Sequence, residues 1–250
     1  MSEEPLIDPK IKLFFTNISK HIRSRVKLVV TLFLAGLIAG IPLSKQVVDW
    51  LLNSGLAPDE VNIIVLTPVE FIMIQVKVGA WLGFSLAALA LLIEGAWRSE
   101  LARKIPRPST AVFMSLASIF ALAVCGLLYS WELLTPMLLD YLAADAQSAG
   151  LSTEWKLSSF VGFIINLMIA CVIGFQAPLA TILLLRSGAV GRETLTAYRK
   201  HIWFATFVLG AAFSPPDPLS LFLVSVPIIA LFEIALILET LMDGNSDADV

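Results

Sequence analysis

The chain has 250 residues, of which 58% are hydrophobic and only 15% charged, with a formal net charge of −3. A soluble domain carries roughly 25% charged residues, so these proportions, with a mean hydropathy of +0.85, exclude an ordinary soluble globular protein and a disordered chain. The charge balance and the lack of a long Lys/Arg block also exclude a basic nucleic-acid binder.

A helix that crosses the hydrocarbon core uses about 20 residues, so a chain of this length holds about six crossings. The first 25 residues are polar and carry no secretory cleavage pattern. The first apolar run, Val26 to Leu43, is already long enough to span and is expected to stay in the mature protein. Further runs cover Val69 to Ile93, Thr110 to Leu134, Ser158 to Leu185, Ile202 to Phe213 and Leu219 to Leu238, separated by segments rich in charge, Gly and Pro. They are continuous rather than alternating, which argues against a β-barrel. The expectation is an all-α membrane protein with six transmembrane helices in a bowed bundle. Residues 1–240 form a single integral membrane domain and residues 241–250 an acidic tail.

The last two crossings are expected to be short. Ile202 to Phe213 rises only about 18 Å and the uninterrupted stretch Leu219 to Phe232 about 21 Å, against a core of roughly 30 Å. They either thin the bilayer or form a re-entrant hairpin around Pro215, Pro216 and Asp217.

Orientation follows from the 17 basic residues. Lys10, Lys12, Lys20, Arg23, Arg25 and Lys27 precede or open the first run; Arg98, Arg103, Lys104 and Arg107 follow the second; Arg186, Arg192, Arg199 and Lys200 follow the fourth. The intervening loops hold only Lys45 and Lys156. Basic residues stay on the cytoplasmic side, so both termini are expected in the cytoplasm, with Ser44 to Pro68, Thr135 to Leu157 and Ser214 to Pro218 facing outward.

Ionisable groups at membrane depth are costly unless they face protein or water. Glu70, Lys77, Glu94, Glu132, Asp217 and Glu233 are the candidates. Glu70 and Lys77, two helical turns apart, share one face; the alternative puts Glu70 at headgroup level and lets Lys77 snorkel outward. Gln176, beside Pro178, needs a polar partner in lipid and reads either as a contact for another helix or as interhelical glue. Gly36-x-x-x-Gly40 and Gly79-x-x-x-Gly83 allow close helix approach, within the chain in the first reading and at an oligomer face in the alternative. Cys125 and Cys171 read as small buried hydrophobes. No catalytic, phosphate-binding or dinucleotide motif is present, and no His lies at depth to serve a nucleophile, so neither an enzyme nor a cofactor is expected.

The block Phe213-Ser-Pro-Pro-Asp-Pro-Leu-Ser220, with Pro227 and Leu231-Phe-Glu233, resembles the TatC family, the multispanning receptor subunits of the twin-arginine protein translocase. The family turn is Thr-Pro-Pro-Asp, and this chain departs from it in having Ser214. Thr67-Pro-Val-Glu-Phe71 with Lys77, then Gly126, Tyr129 and Pro136, then Phe175-Gln-Ala-Pro178 and Arg199-Lys200, match the family spacing elsewhere. The resemblance implies a receptor in a prokaryotic cell membrane that binds twin-arginine signal peptides of folded precursors at its cytoplasmic face. It also implies small single-span partner subunits and a homo-oligomer in the complex.

The family binds the signal with an N-terminal His-Leu-x-Glu-Leu-Arg motif and a Glu of the first cytoplasmic loop. These positions are occupied here by His21, in place of the Glu, Arg23 and Glu100. Glu94 stands where the family has Pro, and Gln176 where it has an intramembrane Glu. An arginine fork is held best by carboxylates, so Glu100 and Glu94 are the expected docking groups; His21 cannot replace an acid. The concave face around Gln176 is expected to recruit partner helices. Two other readings remain: a small-solute secondary transporter, which would usually show an internal repeat, and a structural paralogue without signal binding.

Overall fold

A computed structural model describes residues 16, 23–98, 108–151, 153–186, 188, 190–214 and 217–246. The long helices are α1 (Val26–Leu52), α2 (Val69–Arg98) and α3 (Pro108–Leu128), with a π-helical turn at Tyr129–Leu134 leading from α3 straight into α4 (Thr135–Ser148). Then come α5 (Leu157–Gly174), α6 (Ala177–Arg186), the single-turn α7 (Arg192–Ala197), α8 (Arg199–Phe213) and α9 (Pro218–Ser246). Five segments are long and apolar enough to cross a membrane: α1, α2, the α3–α4 rod from Phe113, α5–α6, and α9. The sixth expected crossing, α8, has 15 residues and spans about 22 Å.

Several expected boundaries are corrected. The loop expected from Ser44 is still helix to Leu52, because helical periodicity outlasts the apolar run: Gly40, Ser44, Val48 and Leu51 recur on the buried face. The loop expected from Thr135 is helix to Ser148, and it ends where Gly150, at φ 72°, takes the left-handed conformation that needs no Cβ. Gly150 N–H then donates to the Gln147 carbonyl and Leu151 N–H to Ala146, satisfying two orphan acceptors of the helix end. The last helix is not short: α9 has 29 residues, runs through Pro227 and reaches Ser246. Composition marks where lipid ends, whereas hydrogen bonding decides where a helix ends. The fourth crossing is one helix only as far as Gly174, then breaks at Phe175–Gln176 before α6.

The glycines pair within the chain. A Cβ on Gly36 or Gly40 would overlap the Cα of Gly83 or Gly79, so α1 and α2 lie backbone against backbone. In lipid there is no hydrophobic force between helices, and close approach of this kind supplies the dispersion contact instead. Each pair sums to 119 in residue number, which fixes an antiparallel register for the hairpin. Half of α5 is buried; it packs against α2, α3, the π turn, α8 and α9, which makes it the central post of the bundle. One core layer joins Val48, Ile74, Leu139 and Phe160; a second joins Leu134, Leu167, Cys171 and Val224.

The segments that follow α1 and α4 are joined by a feature absent from the expectation. Strands β1 (Asn62–Ile64) and β2 (Glu154–Lys156) pair in parallel, Ile63 opposite Trp155. Near the end of α1, Trp50 stacks on Trp131 of the π-helical turn at 4.3 Å.

Candidate functional site

Two of the expected signal-binding residues, Arg23 and Glu94, lie at the same end of the α1–α2 hairpin. Arg23 is helical and exposed just ahead of α1. Glu94 lies on the last turns of α2, where its carboxylate is held by the Arg25 guanidinium, and the two side chains remain 31% and 21% exposed. The glycine register explains the meeting: Arg25 and Glu94 lie eleven residues, three helical turns, beyond Gly36 and Gly83, and their numbers also sum to 119. His21 and Glu100 lie outside the described residues.

At the opposite end of α2, Glu70 is fully buried. Its Oε1 accepts the N–H groups of Leu66 at 2.8 Å and Thr67 at 3.0 Å, and its Oε2 accepts Ser158 N–H at 3.4 Å. Thr67-Pro-Val-Glu70 is thus a helix-start sequence whose acid reaches back to the first orphan donors. Lys156 of β2 approaches it at 3.8 Å, so Glu70 ties the start of α2 to the start of α5. Lys77 is not its partner. The Lys77 Nζ instead lies over α5, where a Cβ on Gly162 would come within 2.6 Å of it.

Gln176 occupies the break between α5 and α6. Its Nε2 donates to the carbonyls of Ile119 at 3.2 Å and Val172 at 3.4 Å. Its Oε1 is buried without a hydrogen-bond partner among the described residues. Helix α9 is anchored along its second half. Glu233 accepts from Arg199 Nε at 2.6 Å and from Trp203 Nε1 at 2.8 Å, with the guanidinium over the indole ring at 5.1 Å. Glu239, nearly buried, takes both nitrogens of the Arg186 fork at 2.9 and 3.4 Å. Asp217 caps the other end of α9 by accepting the Ser220 N–H at 2.8 Å, with Pro218 at the first helical position. Pro215 and Pro216 lie outside the described residues.

Sequence reasoning treated Arg25, Lys156 and Arg186 only as charges that set topology, and passed over Glu239. The readable signal for Arg25 was the glycine register; for Glu239 and Lys156 there was none, since their partners come from distant segments.

Residues 18–227 match the model of the family described as Sec-independent protein translocase protein (TatC). The Sec-independent protein translocase protein TatC of Listeria innocua is 21% identical over 230 residues, 92% of each chain. That of Aquifex aeolicus is 27% identical over 183 residues, 73% of this chain and 75% of its own. A crystal structure of the twin arginine translocase receptor TatC superposes with a TM-score of 0.73 at 26% identity, covering 89% of this chain and 97% of that one. From its family match and its fold alike, this chain belongs to the TatC family of Sec-independent protein translocase proteins.

Proposed function

We propose that the protein is the signal-recognising subunit of a twin-arginine translocase, exporting folded precursors across a prokaryotic cell membrane together with small single-span subunits. The observation that carries this reading is the likeness, over 89% of the chain, to a twin arginine translocase receptor. The chain crosses six times, counting the short α8, with both termini in the cytoplasm, as its basic residues support. In this reading the signal's paired guanidinium groups dock where the amino-terminal segment meets the end of α2, on Glu100 and Glu94, flanked by Arg23 and His21. A carboxylate holds a planar fork through two charge-assisted bonds, which a lysine ammonium cannot reproduce.

The concave face around Gln176 receives a partner helix. Both Gln176 donor bonds end on this chain's own carbonyls, which leaves Oε1 as an acceptor, so the partner helix supplies a donor. Neither ATP nor a cofactor enters; the membrane potential is the energy source in this account.

Photo-crosslinking of a twin-arginine signal peptide, against a twin-lysine control, tests the reading in native membranes. The arginine peptide is expected to be captured preferentially, and Glu100→Gln to weaken that capture by about tenfold, one charge-assisted contact. Equal capture of both peptides would leave a structural paralogue without signal binding.

A further inference from the structure

Glu94 is expected to dock an incoming guanidinium, yet it already holds one. Arg25 is placed on it by the α1–α2 register, the same register that sets Gly36 on Gly83 and Gly40 on Gly79. Because the glycine contacts admit no sliding of one backbone along the other, the Arg25–Glu94 meeting is built into the hairpin. Both side chains keep roughly a quarter of their surface open, so the pair is reachable from solvent. Arg25 also presents to Glu94 the same chemical group that a twin-arginine tag would bring.

We infer that Arg25 is an internal stand-in for a signal arginine, an autoinhibitory contact that a twin-arginine peptide must displace from Glu94. This rests on the reading of Glu94 as a docking acid. The exchange is balanced for an arginine ligand, since one guanidinium–carboxylate contact replaces another and the displaced Arg25 returns to water. The apparent affinity for the peptide is lowered by the fraction of molecules with Glu94 free. A partly exposed ion pair is closed in the large majority of molecules by a factor of about five. The contact therefore sets a threshold. It lowers the affinity for any cation competing for Glu94 by one common factor, and the preference for arginine over lysine comes from the geometry of the acids.

The test is a double-mutant cycle on the full-length protein in nanodiscs, titrated with fluorescent twin-arginine and twin-lysine signal peptides. Arg25→Gln is expected to tighten the twin-arginine peptide about fivefold, with Arg25→Lys in between. Glu94→Gln weakens binding, and in that background Arg25→Gln has no further effect. Thermal midpoints of all variants are read alongside, so that a loosened hairpin is seen directly. If Arg25→Gln leaves binding unchanged or weakens it, Arg25 is only a latch between helices and the inference is overturned. It is overturned equally if the gain persists in the Glu94→Gln background, which would mean general charge repulsion. A wild-type protein that does not distinguish the two peptides removes the docking function itself and this inference with it.

Discussion

At the scale of single residues, the membrane decides which side chains must find partners. Glu70 shows the outcome most fully: a carboxylate without exposure accepts three backbone N–H groups from two segments. Removing it orphans donors that have no water to turn to, each costing about 1–3 kcal/mol. Glu70→Ala is therefore expected to lower stability by at least about 2 kcal/mol, and Glu70→Gln, which keeps one acceptor oxygen, by roughly half as much. Thermal unfolding in detergent measures both. Lys156→Met should change little, because a 3.8 Å pair with a lysine that is 35% exposed is largely screened. The sequence made Glu70 conspicuous as an acid at a span edge. It did not disclose Lys156 or Ser158, since 86 residues or more separate them from Glu70 and no local pattern spans that distance.

At the scale of elements, the glycine pairs carry the α1–α2 hairpin. Both glycine motifs stood out in the sequence, and within-chain packing was the favoured reading of them. What required three dimensions was the pairing of one motif on the other, and with it the residue opposite each position. A β-branched side chain at Gly40 cannot coexist with the Gly79 backbone. Gly40→Ile is expected to cost about 3 kcal/mol, as overpacking of a rigid contact does. It should also abolish a disulfide engineered between Ser44→Cys and Gln75→Cys, two positions that obey the same register; gel mobility under oxidising conditions reads this out. Element ends were the least legible part. Lys45, Gln46 and Asp49 read as loop, yet they extend α1 because Val48 and Leu51 keep the buried stripe going. The π turn at Tyr129–Leu134 left no trace in hydropathy; it precedes Pro136, whose missing N–H cannot serve an α-helical bond.

For the whole molecule, the family and the general helical architecture were legible from the motif block at Phe213–Ser220 and from continuous apolar runs. The number of crossings was less so, because α8 with 15 residues is shorter than an ordinary span. Topology is open to direct measurement in a background with Cys125→Ala and Cys171→Ala. A membrane-impermeant maleimide applied to intact cells is expected to label Asp59→Cys and Asp217→Cys. Arg192→Cys and Lys27→Cys should react only after permeabilisation. Labelling of Asp217→Cys solely from the cytoplasm would remove the crossing by α8, and a crossing by α9 would then carry the tail to the other side.

The two-stranded pairing of Asn62–Ile64 with Glu154–Lys156 has a mechanical meaning for the assembled protein. It staples the hairpin of the first two helices to the central post at one rim, as a ring holds the tops of tent poles. Poles tied at the crown spread most readily at their feet. A swing of the hairpin about this clasp would therefore displace Arg25 most and Trp155 least.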